Sequence, residues 1–468
     1  MLLSMEEFRA FQPKKPTYAL FGWPLGHTMS PELHAQLFEA SGQDAAYIGV
    51  AVPPDDLAEA FDLAKAKLRG INCTIPHKKA VIELLDGVDT AARDLHSVNT
   101  VAFRDGKAIG YNTDILGFSE SLVRDGVTLR GKKVLLLGKK VLLLGYGGAA
   151  SVMAYHCARE GACLTITGRN LEKAAALQQQ IAETVPHARV SVYSRRHIPR
   201  DIQIVLNSTP VGMYPKENLA PLHYLPHKTE YVFDAIYNPP VTATMRLANP
   251  RKTATRDGLY MLVMQAAHAQ TIWSGVTFEP ASCETILRRT YGKMAVKRLH
   301  EKYGKKNLVL CGFMGSGKTT IGRKLARVTG LDFVDADLYL EEKEGMKISD
   351  IFAQKGEAYF RDRETAYIRE LSQRDGIVLS LGGGAVLRPE NVAAVKETGL
   401  LIHLDTPFYR ILKNLSYSNS RPLLNRPDKQ AETRRLYNVR KSIYHRVSDT
   451  SVRSPKLSEV LDKVVKSV

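Results

Sequence analysis

The sequence predicts an α/β protein with parallel sheets under helical cover. Short aliphatic strands alternate with helix-like stretches nearly throughout, and two glycine-rich loops each follow such a strand and lead into such a helix. Near the start, Tyr18–Phe21 reads as a strand, Ser30–Ala40 as a helix, Tyr47–Val52 as a strand and Leu57–Leu68 as a helix. The loops begin at Gly145 and Gly312, so each is expected to open its own α/β unit. Between them Leu287–Lys306 (LRRTYGKMAVKRLHEKYGKK) is strongly basic with sparse apolar residues and reads as a connecting helix and linker. At 468 residues the chain is too long for one ordinary core. Residues 1–16 read as a short leader; two early glutamates and the lack of an apolar stretch argue against a signal peptide.

Hydrophobic residues make up 44% of the chain, yet no apolar run approaches the roughly 18 residues of a membrane span, so no membrane partner is expected. Five cysteines occur without a CxxC pair or a His cluster at zinc-ligand spacing, which points to a reducing compartment, the cytoplasm, and away from structural metal. The net charge of +17 invites a nucleic-acid reading, but Lys and Arg are spread along the chain without a basic block or an aromatic-basic stripe. Small anionic ligands, and no nucleic acid, are expected.

In the last third, Asn307–Cys311 reads as a strand running into Gly312-Phe313-Met314-Gly315-Ser316-Gly317-Lys318-Thr319, which fits G-x-x-x-x-G-K-[ST] at every fixed position. Backbone N–H groups of such a loop curl around phosphate oxygens at a helix N-terminus. Lys318 reaches the terminal phosphates, Thr319 can ligate Mg2+, and Gly315, Ser316, Gly317 and Thr320 complete a cradle for ATP. Phe333-Val334-Asp335-Ala336-Asp337 reads as two carboxylates at the end of a short strand, pointing to one side of the backbone. One can serve Mg2+ and the other a hydroxyl, or they cap a strand end or a helix. Downstream, Gly356–Arg361 with Glu364, and Gly382-Gly383-Gly384 after a strand Ile377–Leu381, add a cation and a backbone nest for an anion.

In the middle third, Val141–Leu144 leads into Gly145-Tyr146-Gly147-Gly148-Ala149-Ala150, a G-x-G-x-x-[GA] loop that lays a pyrophosphate on the next helix. The following strand, Leu164–Thr167, ends about twenty residues on, where an acid would meet the ribose diol of NAD. Here stand Gly168-Arg169-Asn170 and then Lys173; two cations and no carboxylate favour the 2′-phosphate of NADP(H). KKVLLLG occurs twice without a gap, at Lys132–Gly138 and Lys139–Gly145. Only the second copy runs into the glycines, so it is expected to be the cofactor strand and the first to be extra material. Upstream, Thr28-Met29-Ser30-Pro31, Asn72-Cys73-Thr74-Ile75-Pro76-His77-Lys78, and Asn99 with Asn112-Thr113-Asp114 supply hydroxyls and amides that suit a hydroxylated carboxylic acid. Lys78 and Asp114 are residue types that could share a proton in carbonyl reduction, but spacing alone does not pair them.

The phosphate loop, the Asp335/Asp337 pair, GEAYFR, the glycine triplet and Arg421-Pro422-Leu423-Leu424 resemble shikimate kinase, in that family's order, over Asn307–Val468. The resemblance implies a P-loop domain of the nucleoside-monophosphate-kinase type that uses ATP and Mg2+. It implies that Asp337 binds the substrate hydroxyls and acts as base, and that Asp335 holds Mg2+ through water. Arg361 and Arg440 would grip the carboxylate, Gly382, Gly383 and Gly384 would hold the ring from below, and Arg421 would swing in with a lid.

From about Pro16 to Tyr291 the chain resembles shikimate dehydrogenase, through HTMSPELH, NCTIPHK, SVNT, NTDILG, GYGGAA, NSTPVGM, DAIYNP and GLYMLVMQAA. This implies a two-lobed dehydrogenase with a Rossmann-like NADP domain. Lys78 and Asp114 would be the catalytic pair, and Thr28, Ser30, Thr74, Asn99, Tyr237 and Gln265 would bind substrate. Gly145, Gly147, Gly148, Ala149, Arg169, Lys173 and Gly258 would serve the cofactor, Gly258 close to the nicotinamide. Thr28 stands where that family usually has serine, and Gly168-Arg169-Asn170 replaces its usual Asn-Arg-Thr. The lobes are expected at 1–125 completed by 255–290, and at 126–254, with a linker at 291–305 and the kinase at 306–468.

The whole implies two consecutive steps in one chain: reduction of 3-dehydroshikimate to shikimate by NADPH, then MgATP-dependent phosphorylation of shikimate. The competing expectations are a first half that binds without turnover, which the intact Lys78 and Asp114 disfavour, and one that takes quinate, which the attached kinase disfavours.

Overall fold

Strands form from the short aliphatic runs, and the computed structural model, which describes residues 1–26, 28–129, 138–416, 429–453 and 455–467, gathers them into three sheets. The first contains β1 (Leu2–Leu3), β2 (Thr17–Gly22), β3 (Ala46–Ala51), β4 (Gly70–Cys73), β5 (Gly87–Val88), β6 (Thr100–Arg104) and β7 (Lys107–Tyr111), in the order β1-β3-β2-β4-β6-β7-β5. One face is covered by helix Leu57–Lys67 and the other by helices Ser30–Ser41 and Leu259–Ser274, the last returning from much later in the chain.

Two expectations are corrected here. Residues 1–16 contain an edge strand and the helix Met5–Ala10, which buries Met5 and Phe8 and is fastened by a Ser4/Glu7 capping box, a signal already present in the sequence. The sheet is mixed, because β6 pairs antiparallel with both β4 and β7. The β6–β7 reversal is made by Asp105 and Gly106, whose φ values of 50° and 73° match the right-handed twist of a tight hairpin.

The second sheet contains β8 (Lys140–Leu144), β9 (Cys163–Thr167), β10 (Arg189–Val192), β11 (Ile204–Asn207), β12 (Tyr231–Asp234) and β13 (Ala254–Arg256), all parallel, in the order β10-β9-β8-β11-β12-β13. Counted along the chain this is 3-2-1-4-5-6, which reverses beside β8, where a doubly wound sheet opens a ligand crevice. The second KKVLLLG copy forms β8; Lys132–Leu137 of the first lie outside the described residues.

The third sheet, β14 (Asn307–Cys311), β15 (Asp332–Asp335), β16 (Ile377–Ser380), β17 (Gly399–Asp405) and β18 (Thr450–Arg453), is also parallel, in the order β15-β16-β14-β17-β18, with a core on each face. The chain divides into two compact units, Met1–Leu287 and Arg288–Val468. Residues 291–305, expected as a linker, are helical as far as Tyr303, within helix Pro280–Tyr303. Ala295 and Leu299, four residues apart, supply an apolar face to the second unit's core that the basic composition had masked. Among the described residues no helix is long and apolar enough to cross a membrane.

One carboxylate organises the outer part of the second unit. Glu344 accepts hydrogen bonds from Tyr367 (2.7 Å), Tyr359 (2.7 Å) and Arg363 (2.6 Å), tying helix Ala336–Glu344 to helix Ile348–Ser372. These donors, the Tyr367 hydroxyl foremost, hold its carboxyl down to about 2 from a usual 4.5. A carboxyl depressed in the folded state stabilises fully above its unfolded pKa and loses that contribution as pH falls toward the folded one. Glu344→Gln should therefore cost about 1–3 kcal/mol at pH 7. The difference from the parent in urea melts should shrink between pH 4.5 and 2; a constant difference across that window would refute the assignment.

Candidate active sites

In the first unit, polar side chains converge where β4 and the β6–β7 hairpin end. Lys78 lies on the short helix His77–Ala80, which His77 anchors through a 2.7 Å contact with the Val52 carbonyl. Its ammonium donates to Asp114 Oδ2 at 2.5 Å, and the two side chains are 25% and 16% exposed. Asp114 opens helix Asp114–Arg124, where the helix dipole favours a negative charge. Its other oxygen accepts from Asn99 Nδ2 at 2.9 Å, and Asn99 Oδ1 accepts from the Thr113 N–H at 2.8 Å. The Asp105-Gly106 reversal makes this possible by folding residue 99 back beside residues 111–114, as the 3.0 Å bond from Asn99 N–H to the Tyr111 carbonyl shows.

Behind the pair runs a buried chain of donors that the sequence did not reveal. Tyr47 donates to Asn72 Oδ1 (2.6 Å), Asn72 donates to Thr100 Oγ1 (2.9 Å), and Thr100 donates to Asn99 Oδ1 (3.0 Å). The His34 ring stacks on Tyr47 at 3.9 Å, and burial lowers its pKa to about 3, so the imidazole is neutral. The period-two placement of Asn72 on β4 was the available signal for Asn72; Tyr47 and Thr100 carried none beyond being polar residues in apolar strands.

The other residues expected to bind substrate come from four places. Thr28 and Ser30 hydroxyls lie 3.3 Å apart at the start of helix Ser30–Ser41. Thr74 packs over Gly22, where a Cβ would sit 2.4 Å from the threonine methyl. Gln265 lies on helix Leu259–Ser274, which crosses the Asp114 helix at Gly117; a Cβ there would stand 2.4 Å from the Met261 carbonyl, so only glycine permits the crossing. Tyr237 follows β12, in a loop pinned by Asp234, which accepts from Asn207 (2.9 Å), Thr242 (2.6 Å) and the Ile236 N–H (3.1 Å). Burial raises the Asp234 carboxyl to about 6. Gly258 packs on the Ala235 carbonyl, 2.1 Å from where its Cβ would lie.

The Asp114 helix also belongs to the second sheet's core: Ile115, Phe118 and Leu122 pack with Val141 and Leu143 of β8. That places Asp114 and the glycine loop in one compact unit. After β8, Gly145 adopts φ +115°, a value side chains rarely accept, and helix Gly148–Arg159 follows. At Gly147 and Gly148 an added Cβ would meet nothing within 4 Å, which leaves open space beside the backbone N–H groups; Ala149 is the next residue of that first turn. Arg169 and Lys173 stand exposed after β9.

In the second unit the expected residues line one cavity of about 1350 Å³: the loop Gly315–Thr320, Asp335, Asp337, Arg361, Gly382–Gly384 and Arg440. Gly317 caps helix Lys318–Thr329 at φ +91°. Lys318 is buried and donates to the Gly312 and Phe313 carbonyls (2.9 and 3.2 Å), while Ser316 Oγ is buried with no hydrogen-bond partner among the described residues. An unsatisfied buried hydroxyl inside a ring of N–H groups fits a phosphate oxygen. Thr319 donates to Asp335 Oδ2 at 2.7 Å, which puts a hydroxyl and a carboxylate at one point suited to a hydrated divalent cation.

Asp335 and Asp337 do not share a strand end. Asp335 ends β15 and caps helix Ala336–Glu344 by accepting from the Asp337 N–H (3.2 Å), so Asp337 lies in the first helical turn. The cause is the strong N-cap preference of aspartate. The glycine triplet then lets three side chains meet. A Cβ at Gly382 would be 2.5 Å from Asp337 Oδ1, and one at Gly384 would be 2.7 Å from Arg361 Nη1. Arg361 donates to Glu364 Oε2 (2.8 Å), a buried carboxylate whose pKa burial raises. Arg440 lies one turn before Tyr444, which donates to the Gly383 carbonyl and so holds helix Lys429–Val447 over the triplet. Arg410, Asn414, Pro455 and Lys456 also line the cavity, without a motif to mark them. Arg421 lies outside the described residues.

Comparison with known proteins matches the shikimate kinase family over residues 314–468 and the shikimate dehydrogenase substrate binding domain over residues 20–101. The NADP(+) shikimate dehydrogenase of Methanocaldococcus jannaschii is 35% identical over 269 residues, 56% of this chain and 93% of that protein. A shikimate dehydrogenase solved in complex with NADP+ is 33% identical with a TM-score of 0.54, covering 58% of this chain and 95% of that one. The Thermus thermophilus shikimate 5-dehydrogenase, solved with NADP(H) and shikimate, is 28% identical with a TM-score of 0.51, covering 58% and 99%. The chain therefore belongs to the shikimate dehydrogenase family through its first unit and joins to it a shikimate kinase domain, a bifunctional enzyme of the shikimate pathway in a single polypeptide.

Proposed function

We propose that the first unit reduces 3-dehydroshikimate to shikimate at Lys78 and Asp114, and that the second phosphorylates shikimate at Asp337 beside the Gly312–Thr319 loop. What carries the reading is that each phosphate-type loop shares a compact unit with charged groups suited to a hydroxylated acid: the 2.5 Å Lys78–Asp114 pair in one, the Asp337–Arg361 convergence over the glycine triplet in the other.

NADPH, when bound, supplies the hydride that arrives at the carbonyl carbon. The Lys78 ammonium supplies the proton to the carbonyl oxygen, and Asp114 keeps that ammonium charged and aimed until transfer. Asn99 and the donors behind it hold Asp114 in turn, so proton delivery is positioned by fixed dipoles. Thr28, Ser30, Thr74, Tyr237 and Gln265 orient the acid's oxygens; the space at Gly147 and Gly148 takes the diphosphate, and Arg169 and Lys173 take the 2′-phosphate.

MgATP, when bound, supplies the phosphoryl group. Asp337 accepts the proton of the attacking hydroxyl, Arg361 and Arg440 hold the carboxylate with planar donors, and Lys318 leaves its loop carbonyls for phosphate oxygens. Thr319 and Asp335 would hold Mg2+. Arg421 neutralises the group in transfer.

Purified full-length protein given 3-dehydroshikimate, NADPH and MgATP should lose nicotinamide absorbance and form phosphorylated shikimate in equal amounts. With NADPH omitted, product should form only from added shikimate. Cofactor and acid that bind without nicotinamide oxidation would sink the first half of the reading and leave the second standing.

A further inference from the structure

β8 and β9 lie side by side, with Leu144 paired to Thr167, so the loops that follow them are neighbours. A Cβ built at Gly168 would stand 2.5 Å from Tyr146 Cε1 and 2.7 Å from Cδ1, far inside the contact limit of real side chains. The phenol ring thus fills the volume that any residue-168 side chain would need. A ring at 146 and a side chain at 168 exclude each other in this arrangement. Nor is the ring loose, because Tyr146 packs against the hydrophobic cluster beneath the second sheet.

Position 168 is where a dinucleotide site ordinarily turns a polar side chain toward the adenosine ribose. The next candidate, Asn170, is already committed: its Oδ1 accepts from the Lys173 N–H at 2.9 Å and caps helix Leu171–Thr184. What the end of β9 offers a ribose is therefore the Tyr146 ring with Arg169 and Lys173, both exposed. A phenol and two cations bring no carboxylate to accept from a 2′-hydroxyl but answer a 2′-phosphate well, and a guanidinium gains further by stacking on a phenol face.

We infer that Tyr146 is a specificity-determining residue: its ring, seated in the space vacated at Gly168, walls the adenosine ribose pocket and with Arg169 and Lys173 selects a dinucleotide phosphorylated on the 2′ oxygen. This rests on the cofactor reading proposed above. The test is calorimetric binding of NADP+ and NAD+ to the full chain in four forms: parent, Gly168→Asn, Tyr146→Ala and the double variant. Gly168→Asn should weaken NADP+ by about tenfold or more by displacing the ring, and Tyr146→Ala should narrow the NADP+/NAD+ ratio by about fivefold or more. In the double variant the asparagine gains the vacated space, and NADP+ affinity should return to within about threefold of the parent, a coupling that two independent sites would not show. The thermal midpoint of the protein without cofactor should fall in Gly168→Asn and recover in the double variant. Kinase turnover should be unchanged in all four.

Simple multiplication of the two single effects, or a ratio untouched by Tyr146→Ala in a parent that prefers NADP+, overturns this inference alone. A parent that binds NADP+ and NAD+ alike overturns the cofactor reading and this inference with it.

Discussion

Lys78→Ala should lower dehydrogenase kcat by about 10²- to 10⁴-fold, the range a positioned acid supplies. Because the ammonium acts on the reacting oxygen and not on the bulk of the acid, kcat and kcat/KM should fall together while KM for NADPH moves little. Kinase turnover in the same preparation should be unchanged, which makes the second unit an internal control for protein quality. The substitution also leaves Asp114 with Asn99 but without its cation. A small loss of thermal stability is therefore expected, and it is separated from the catalytic effect by assaying well below the melting temperature. A Lys78→Ala enzyme with near-parental kcat would end the assignment of Lys78 as proton donor.

Asp337→Asn should have the opposite pattern, with phosphoryl transfer down by about 10²- to 10⁴-fold and carbonyl reduction intact. Asparagine keeps the shape of the side chain beside Gly382 and keeps the helix turn that Asp335 caps, so the loss would report the missing base and not a collapsed pocket. The KM for ATP should stay within about threefold, since the phosphate loop is built from other residues. Following kinase rate against pH sharpens the test: in the parent the acid limb reflects a carboxylate that must be ionised, and that limb should disappear in the variant. A variant that retains both rate and acid limb assigns the base elsewhere.

How much of this was legible beforehand depends on the kind of signal. The glycine loops and their strands are local, and Asn307–Cys311 and the strand before Gly145 were found within a residue of their observed limits. The Asp105-Gly106 turn is equally local, a two-residue hairpin between apolar runs, but the surrounding βα alternation points to a parallel sheet and hides it. That turn is what carries Asn99 to Asp114, a contact that neither spacing nor the resemblance indicates; the resemblance supplies the Lys78–Asp114 pair, which spacing alone does not. Glu364 sat one turn beyond Arg361 and could have been read as its partner. The donor chain through Tyr47, Asn72 and Thr100 joins β3, β4 and β6, whose contacts exist only in the assembled sheet; period two marks Asn72, but nothing in the sequence marks Tyr47 and Thr100 as its partners. The Asp335/Asp337 pair departs from a shared strand end for a simpler reason: strand alternation stops at the Asp335 cap, two residues before Asp337.

The strand β8 has a twin immediately before it, alike in every side chain. Hydrophobic seating in the second sheet is thus degenerate between two frames of the chain, and so are the ion pairs that Lys139 and Lys140 make with Glu230 and Asp201, because Lys132 and Lys133 are the same residues seven places earlier. Neither packing nor charge can choose between the frames. The choice falls to the flanking residues: Leu129, buried before the repeat with its carbonyl accepting from the Lys139 N–H, and Tyr146-Gly147-Gly148-Ala149 after one copy against Lys139-Lys140-Val141-Leu142 after the other, so the glycine loop shares in deciding which copy becomes its strand.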